Sequence, residues 1–193
     1  MNIVQRAMDI MLRPKETWQV IKGETATVKD LYTSYAVPLS AIPPFASFIG
    51  FSLIGISMLN VQYRVPLVTG LSHAVVSYVL GLIGIYVVAQ IIDALAPSFG
   101  SQKNLINALK VAVYSYTPSW VAGILLIIPA LSPIAILVSL YSLYIFYLGL
   151  PELMETPRDK VMGYFILSII VSIVVFIIIG FLSRSVFGLG GLM

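Results

Sequence analysis

Three kinds of residue are scarce in this chain of 193 residues, and their scarcity excludes several classes of function. There is no cysteine, which excludes disulfides, cysteine-based zinc sites and cysteine redox chemistry. The single histidine, His73, cannot form a conventional zinc site by itself. Charged residues make up 10% of the chain, whereas soluble domains carry about 25%. The basic residues are spread along the sequence, so nucleic acid is not an expected partner.

Apolar residues are correspondingly abundant, at 59% of the chain with a mean hydropathy of +1.00. They form five long segments, at residues 37–59, 67–92, 108–128, 132–150 and 161–182. Each has at least about 19 residues, which is the length that an α-helix needs to cross a hydrocarbon core of about 30 Å. The sequence therefore predicts an all-α membrane protein, in which a bundle of five transmembrane helices (residues 37–193) follows a cytoplasmic amphipathic segment (residues 1–36).

The distribution of basic residues predicts the orientation of these spans, because Lys and Arg near span ends are retained on the cytoplasmic side. Two basic residues, Arg64 and Arg184, lie on one predicted side of the membrane. The other nine lie on the opposite side: Arg6, Arg13, Lys15, Lys22, Lys29, Lys103, Lys110, Arg158 and Lys160. The sequence thus predicts five crossings, with the amino terminus inside and the carboxyl terminus outside.

The amino-terminal segment is predicted to form two helices. Apolar residues at i, i+1, i+4, i+5 and i+8 spacing form one helical face: Ile3, Val4, Ala7, Met8 and Met11. Pro14 should end this helix and begin a second one. Trp18 at the boundary, with Arg13 and Lys15 on the polar side, suits an interfacial helix on an anionic membrane. The alternative is that both helices pack on the cytoplasmic end of the bundle.

A run of polar residues interrupts the third predicted span. Pro118 cannot donate a hydrogen bond to the carbonyl of Tyr114, so another group must do so. The short connection at 129–133 makes the third and fourth spans antiparallel neighbours, which should bring Pro118 close to Tyr141. The sequence predicts a polar seam between these spans, formed by Tyr114, Tyr116, Pro118, Tyr141 and Tyr144. This seam would either hold the two helices together or line a path for a solute.

Two ionisable residues are predicted at the membrane ends of spans, where they are candidates for function. Asp93 ends the second span and Lys110 begins the third, so we expect either an ion pair between them or an ion site at Asp93. The sequence contains no complete set of nucleophile, acid and base, and it predicts no metal site and no cofactor.

Two groups of residues resemble motifs of a known family of membrane proteins. The first is RPKETW at 13–18, followed by Leu31, Tyr32 and Tyr35. The second comprises AVYSYTP at 112–118, then YSLY at 141–144 and YLGLP at 147–151. With these motifs in this order, most of the chain resembles prokaryotic members of the Yip (Ypt-interacting protein) family of polytopic membrane proteins.

The resemblance implies a membrane protein with no catalytic residues. Eukaryotic relatives are Golgi and endoplasmic reticulum proteins linked to Rab-type GTPases, vesicle traffic and membrane shaping. We therefore expect a non-enzymatic membrane-organising or adaptor protein of a prokaryotic cytoplasmic membrane. The alternative is a small transporter or channel that moves an ion or a small solute along the polar seam. The expected partner is the lipid bilayer, and a second membrane protein or a second copy of the chain are open alternatives.

Overall fold

The structure is a computed structural model that describes residues 2–58 and 61–188, and most of these residues are helical. The last residue of the predicted span 37–59 and the final five residues of the predicted membrane domain lie outside the described residues. Helix α1 (Ile3–Leu12) begins after Asn2, whose side chain accepts a hydrogen bond from the Val4 amide at 3.1 Å. Helix α2 (Pro14–Gly23) begins at a proline, which needs no amide partner at the first helical position. The predicted break at Pro14 is confirmed.

A long, irregular helical rod follows, over Val28–Ile54. It consists of α3 (Val28–Leu31), a π-helical turn (Tyr32–Ala36), α4 (Val37–Ser40), α5 (Ile42–Phe48) and a second π-helical turn (Ile49–Ile54). Thr27 and Asp30 form a capping box, in which each side chain accepts a hydrogen bond from the other residue's amide. Proline cannot donate a backbone hydrogen bond, and Pro38, Pro43 and Pro44 interrupt the regular helical pattern.

A short hairpin and a very long helix come next. Strand β1 (Ile56–Met58) pairs antiparallel with β2 (Val61–Tyr63), with Ile56 opposite Tyr63. Helix α6 (Leu67–Leu95) has 29 residues and is therefore about 43 Å long, which exceeds the thickness of the hydrocarbon core. A 3-10 turn (Ala96–Phe99) extends it to Gly100, whose positive φ of 66° ends the helical path.

In the remainder of the chain, the third and fourth predicted spans are broken and the last helix is continuous. The third predicted span comprises α7 (Leu105–Ser115), α8 (Thr117–Ala122) and a 3-10 segment (Gly123–Ile127). After a second 3-10 turn (Pro129–Leu131), the chain forms α9 (Ser132–Ser139), α10 (Tyr141–Leu153) and α11 (Val161–Gly188). The break between α7 and α8 lies at Tyr116, two residues before Pro118, as expected for a proline that cannot continue the hydrogen bonding of the preceding turn.

Among the described residues, three helical stretches are long and apolar enough to cross a membrane: Val28–Ile54, Leu67–Phe99 and Pro129–Leu153. A fourth apolar helix, Val161–Ile177, is shorter over its described side chains. The third predicted span is not among them. The fold is thus a helical membrane protein, and the count of five spans stays a prediction.

The molecule has two halves that differ in packing. We call the part around α1, α2, α7 and the connections at 96–104 and 154–160 the proximal half, and the part around the β-hairpin, α9 and the turn at 127–131 the distal half. The largest fully buried side chains lie in the proximal half, among them Trp18, Ile92, Leu109, Leu150 and Tyr164. Distal side chains such as Val68 (79% exposed) and Leu137 (67% exposed) form an apolar outer surface, which is consistent with contact with the bilayer.

Candidate functional site

The α1–α2 pair is part of the protein core. Trp18 of α2 is fully buried, and its indole Nε1 donates a hydrogen bond to the carbonyl of Ile145 at 3.1 Å. Its ring lies against Gly149 of α10 so closely that a Cβ at Gly149 would lie 2.8 Å from Trp18 Cζ2. The absence of a side chain at Gly149 therefore creates the space that the indole fills.

Charged groups beneath this contact join the amino-terminal helices to α7. Arg6 of α1 is 5% exposed and forms a salt bridge with Glu24, which follows α2. The Lys110 ammonium of α7 donates hydrogen bonds to the carbonyl oxygens of Ile21 at 3.0 Å and Glu24 at 2.5 Å. The Ile21 carbonyl, in the last turn of α2, also accepts the Glu24 amide at 3.2 Å, and a lysine at this helix end is favoured by hydrogen bonding and by the helix dipole.

Tyr114 lies at the centre of this cluster. Its ring packs edge-to-face with Trp18 at 6.2 Å between centroids and tilted against Tyr35 at 4.7 Å. The Arg6 guanidinium lies 5.8 Å from the centroid of the same ring, which is within the range of a cation–π interaction. We call Arg6, Glu24, Lys110, Tyr114 and Trp18 the proximal cluster. It joins α1, α2 and α7 through both aromatic and charged contacts.

The carbonyl that Pro118 leaves without its usual donor has a local partner. The Thr117 hydroxyl donates to the carbonyl of Tyr114 at 2.7 Å. Because that hydroxyl has a single proton, the Tyr35 hydroxyl, 2.9 Å from Thr117 Oγ1, must be the donor in their hydrogen bond. The backbone break at Pro118 is thereby connected to the first helical rod.

The predicted polar seam contains different residues from those named by the sequence pattern. Ser119 and Ser142 join the third and fourth spans, with 2.8 Å between their hydroxyl oxygens and 3.2 Å from the Ser119 amide to Ser142 Oγ. The Tyr141 hydroxyl instead donates to the carbonyl of Met11 in α1 at 3.0 Å.

The other seam residues are divided between the core and the lipid surface. Pro118 is buried, and Tyr116 stacks on Trp120 with 6.0 Å between ring centroids. Tyr144 is 45% exposed and its ring contacts that of Tyr141. Tyr114 belongs to the proximal cluster, so the five residues do not form one continuous seam.

Asp93 and Lys110 do not form the expected ion pair. Asp93 is 7% exposed, and its Oδ1 accepts no hydrogen bond from the described residues. Lys110 is engaged by the end of α2 because α7 passes beneath that end, a tertiary contact that the spacing of the two residues does not indicate. The ion site at Asp93 stays a prediction.

The three residues predicted at the membrane interface lie in different environments. Trp18 lies inside the core, whereas Arg13 and Lys15 are exposed beside the junction of α1 and α2. At the other end of α2, Lys22 forms a salt bridge of 3.1 Å with Glu155, and both side chains are 45% exposed. Such an exposed pair contributes about 1 kcal/mol or less.

A cavity of about 470 Å³ is lined by residues from all the helices from α6 to α11. Most of its lining is apolar, but five serines also line it: Ser115, Ser119, Ser139, Ser142 and Ser172. His73, in the first part of α6 after the β-hairpin, lines a smaller cavity of about 290 Å³. The described residues contain no group of three or more His, Asp or Glu side chains that could hold a metal ion.

Sequence reasoning missed Arg6, Glu24, Tyr35 and Thr117. Arg6 lies between Ile3 and Ile10 on a stripe with i, i+3 and i+7 spacing. That spacing would have placed its side chain toward the core. The pairing of Arg6 with Glu24 depends on the reversal of the chain at Pro14 and carries no signal in the sequence.

The long apolar helices and their exposed apolar side chains define the class as a polytopic helical membrane protein. The Yip1 domain family model matches residues 8–179, which is most of the chain. The protein therefore belongs to the Yip1 domain family, and the resemblance inferred from the residue motifs is confirmed.

Two named relatives carry the same description. The inner membrane protein YohC of Escherichia coli strain K12 is 25% identical over 181 residues, which cover 92% of this chain and 93% of the relative. The inner membrane protein YohC of Escherichia coli O6:H1 matches to the same extent. No solved structure matches the chain significantly.

Proposed function

We propose that this protein is a non-enzymatic membrane-organising or adaptor protein of a prokaryotic cytoplasmic membrane, and that α1 is its interfacial element. One observation carries the proposal: α1 has a second apolar stripe, which the bundle does not cover. Its residues follow i, i+4 and i+8 spacing and are well exposed: Val4 (58%), Met8 (45%) and Leu12 (76%).

The opposite side of α1 fixes this stripe in place. Ala7 and Ile10 are buried in the core, and Tyr141 binds the carbonyl of Met11. An apolar stripe held at the side of the bundle, next to exposed Arg13 and Lys15, suits insertion into one leaflet with the basic residues at the headgroups. A rigid body that occupies one leaflet more than the other would bend or sort the membrane around it.

The proposal is non-enzymatic because the charged groups of the proximal cluster are used in structural contacts. Arg6 pairs with Glu24, and Lys110 binds two carbonyl oxygens at the end of α2. Family membership supports the same conclusion, since it indicates no reaction chemistry.

The position of the stripe can be tested with single cysteines, because the chain has none of its own. Met8→Cys lies in the stripe, and the control Lys103→Cys lies at an exposed position of the connection between α6 and α7. An environment-sensitive fluorophore at Met8→Cys should be quenched by brominated lipid in anionic vesicles, and one at Lys103→Cys by aqueous iodide. Equal quenching of both sites by iodide would contradict the proposal.

The organising activity can be tested by reconstitution. Vesicles with increasing amounts of the protein should become smaller, and the Met8→Ser/Leu12→Ser variant should lose this effect because the stripe becomes polar. The matched control is Val68→Ser/Leu137→Ser on the distal lipid surface, which should behave as wild type. Vesicle diameters that do not change with wild-type protein would contradict a membrane-shaping role.

The five-span arrangement, with the proximal half on the cytoplasmic side, belongs to the same proposal. Two exposed positions test it: Lys103→Cys between α6 and α7, and Tyr63→Cys in the β-hairpin. In intact cells stripped of any outer barrier, a membrane-impermeant maleimide should label Tyr63→Cys and leave Lys103→Cys unlabelled. The reverse labelling pattern would contradict the proposed orientation.

A small transporter or channel is the second candidate function, and the buried carboxylate of Asp93 favours it. A buried carboxylate oxygen without a hydrogen-bond donor is a functional candidate in a membrane protein. Proteoliposomes with an entrapped pH indicator should then show proton flux that Asp93→Asn abolishes. No flux with the wild-type protein would count against this candidate.

A further inference from the structure

The serine-lined cavity has the character of a binding site for a molecule dissolved in the bilayer. Its volume of about 470 Å³ falls within the range of about 300 to 1,000 Å³ that is typical of small-molecule sites. None of the described residues that line it is charged, so the site favours a neutral occupant.

The rim of the cavity indicates where that occupant comes from. Ile136, Leu140 and Ile173 line the cavity and are 64%, 55% and 52% exposed. Exposed aliphatic side chains of this kind belong to the lipid-facing surface, so the mouth opens sideways into hydrocarbon. A molecule from the bilayer can enter without crossing a polar barrier.

One of the five serines that line the cavity has an unpaired hydroxyl. Ser115 is 4% exposed, and its buried Oγ makes no hydrogen bond with the described residues. The other serines are engaged: Ser119 with Ser142, Ser139 with the carbonyl of Ala135, and Ser172 with the carbonyl of Ser168. An unpaired hydroxyl away from water is costly, and an occupant with a matching polar group would remove that cost.

We propose that this cavity binds a neutral, lipid-soluble alcohol or ketone that enters from the bilayer and hydrogen-bonds to Ser115. The apolar body of the molecule packs against walls that include Val88, Phe146 and Ile169. A plain hydrocarbon tail fits the volume but leaves the Ser115 hydroxyl unpaired, so the site discriminates by that hydroxyl. This proposal is independent of the interfacial role of α1.

The test uses the full-length protein in detergent with a long-chain fatty alcohol that carries a diazirine in its chain. Photolabelling should saturate and should map to peptides of α7, α10 and α11. Unlabelled alcohol should compete, and the alkane of the same chain length should compete much less. Unsaturable labelling spread over the outer face of α6, or equal competition by the alkane, would overturn the proposal.

Two variants connect this result to the cavity. Ser115→Ala should raise the half-saturating concentration about 3- to 10-fold, as expected for one lost hydrogen bond. The matched control is Ser168→Ala, because Ser168 is also buried and unpaired but does not line the cavity, and it should leave labelling unchanged.

Ser115→Ala removes an unpaired group, so it should fold at least as well as wild type. Ser172→Leu should fill the cavity and suppress labelling. Wild-type labelling of Ser115→Ala, or of Ser172→Leu, would overturn the assignment.

Discussion

The side chains of the proximal half and those of the distal half have different surroundings. In the proximal half, Trp18 and Tyr164 are fully buried, and charged groups such as Lys110 bind partners on other elements. In the distal half, Val68 and Leu137 face outward, as expected for side chains that contact lipid. The amino-terminal helices therefore belong to the best-packed part of the bundle. The exposed apolar side chains of the distal half are instead suited to contact with lipid.

The largest effect should come from removing the centre of the proximal half. Trp18→Ala should lower the free energy of unfolding in detergent by about 3 to 5 kcal/mol, because it leaves a cavity and removes the indole hydrogen bond to the Ile145 carbonyl. The distal control Leu137→Ala should change stability by about 0.5 kcal/mol or less. Similar losses for both variants, measured by SDS titration and circular dichroism, would remove the distinction between the halves.

The next effect should come from the buried charge pair. Glu24→Gln should cost about 1 to 3 kcal/mol, because the Arg6 guanidinium stays buried without its carboxylate. The double variant Arg6→Met/Glu24→Gln should be less destabilised, since the guanidinium charge is then no longer buried without a partner. As a control, Lys22→Gln breaks the exposed pair with Glu155 and should cost about 1 kcal/mol or less. Equal costs for Glu24→Gln and Lys22→Gln in the same titration would show that burial adds nothing.

Alanine substitutions at two glycines should change the stability of the protein in opposite directions. Gly149→Ala would place a Cβ 2.8 Å from Trp18 Cζ2, so it should destabilise the protein by about 1 to 3 kcal/mol. Gly81→Ala in α6 meets no atom within 4 Å and should be neutral or stabilising by up to about 1 kcal/mol. Thermal unfolding of the two purified variants measures both signs, and a stable Gly149→Ala protein would mean that Trp18 can move aside.

The smallest effect should come from the edge of the proximal half. Tyr141→Phe loses the hydrogen bond to the carbonyl of Met11 and should cost about 0.5 to 1.5 kcal/mol. Tyr144→Phe is the matched control, because the Tyr144 hydroxyl has no hydrogen-bond partner among the described residues, and it should change stability little. Detergent unfolding of both variants gives the difference, and identical stabilities would show that Tyr141 does not hold α1.

The sequence predicted the elements better than the contacts between them. The break at Pro14 and the deprived carbonyl at Tyr114 follow from the chemistry of proline, so both were predictable. The partner of that carbonyl was not, because the Tyr35 hydroxyl that supports Thr117 comes from a helix 82 residues away.

The predicted ion pair of Asp93 with Lys110 was wrong for a related reason. Similar membrane depth does not show which face of a helix a residue occupies. The end of α2 therefore competes for Lys110 in a way that only the tertiary structure reveals. Predicting a single helix over 108–128 likewise overlooked how fully Pro118 divides it into α7 and α8.

Amide hydrogen exchange of the full-length protein in lipid nanodiscs tests the central claim most directly. If α2 is an integral part of the core, its amides should exchange through the same large openings as those of α7, with rates within about 10-fold of each other. A peripheral helix that only rests on the membrane would open separately and exchange more than about 100-fold faster than α7. The first result is the one expected here, and the second would contradict the placement of the amino-terminal helices in the proximal core.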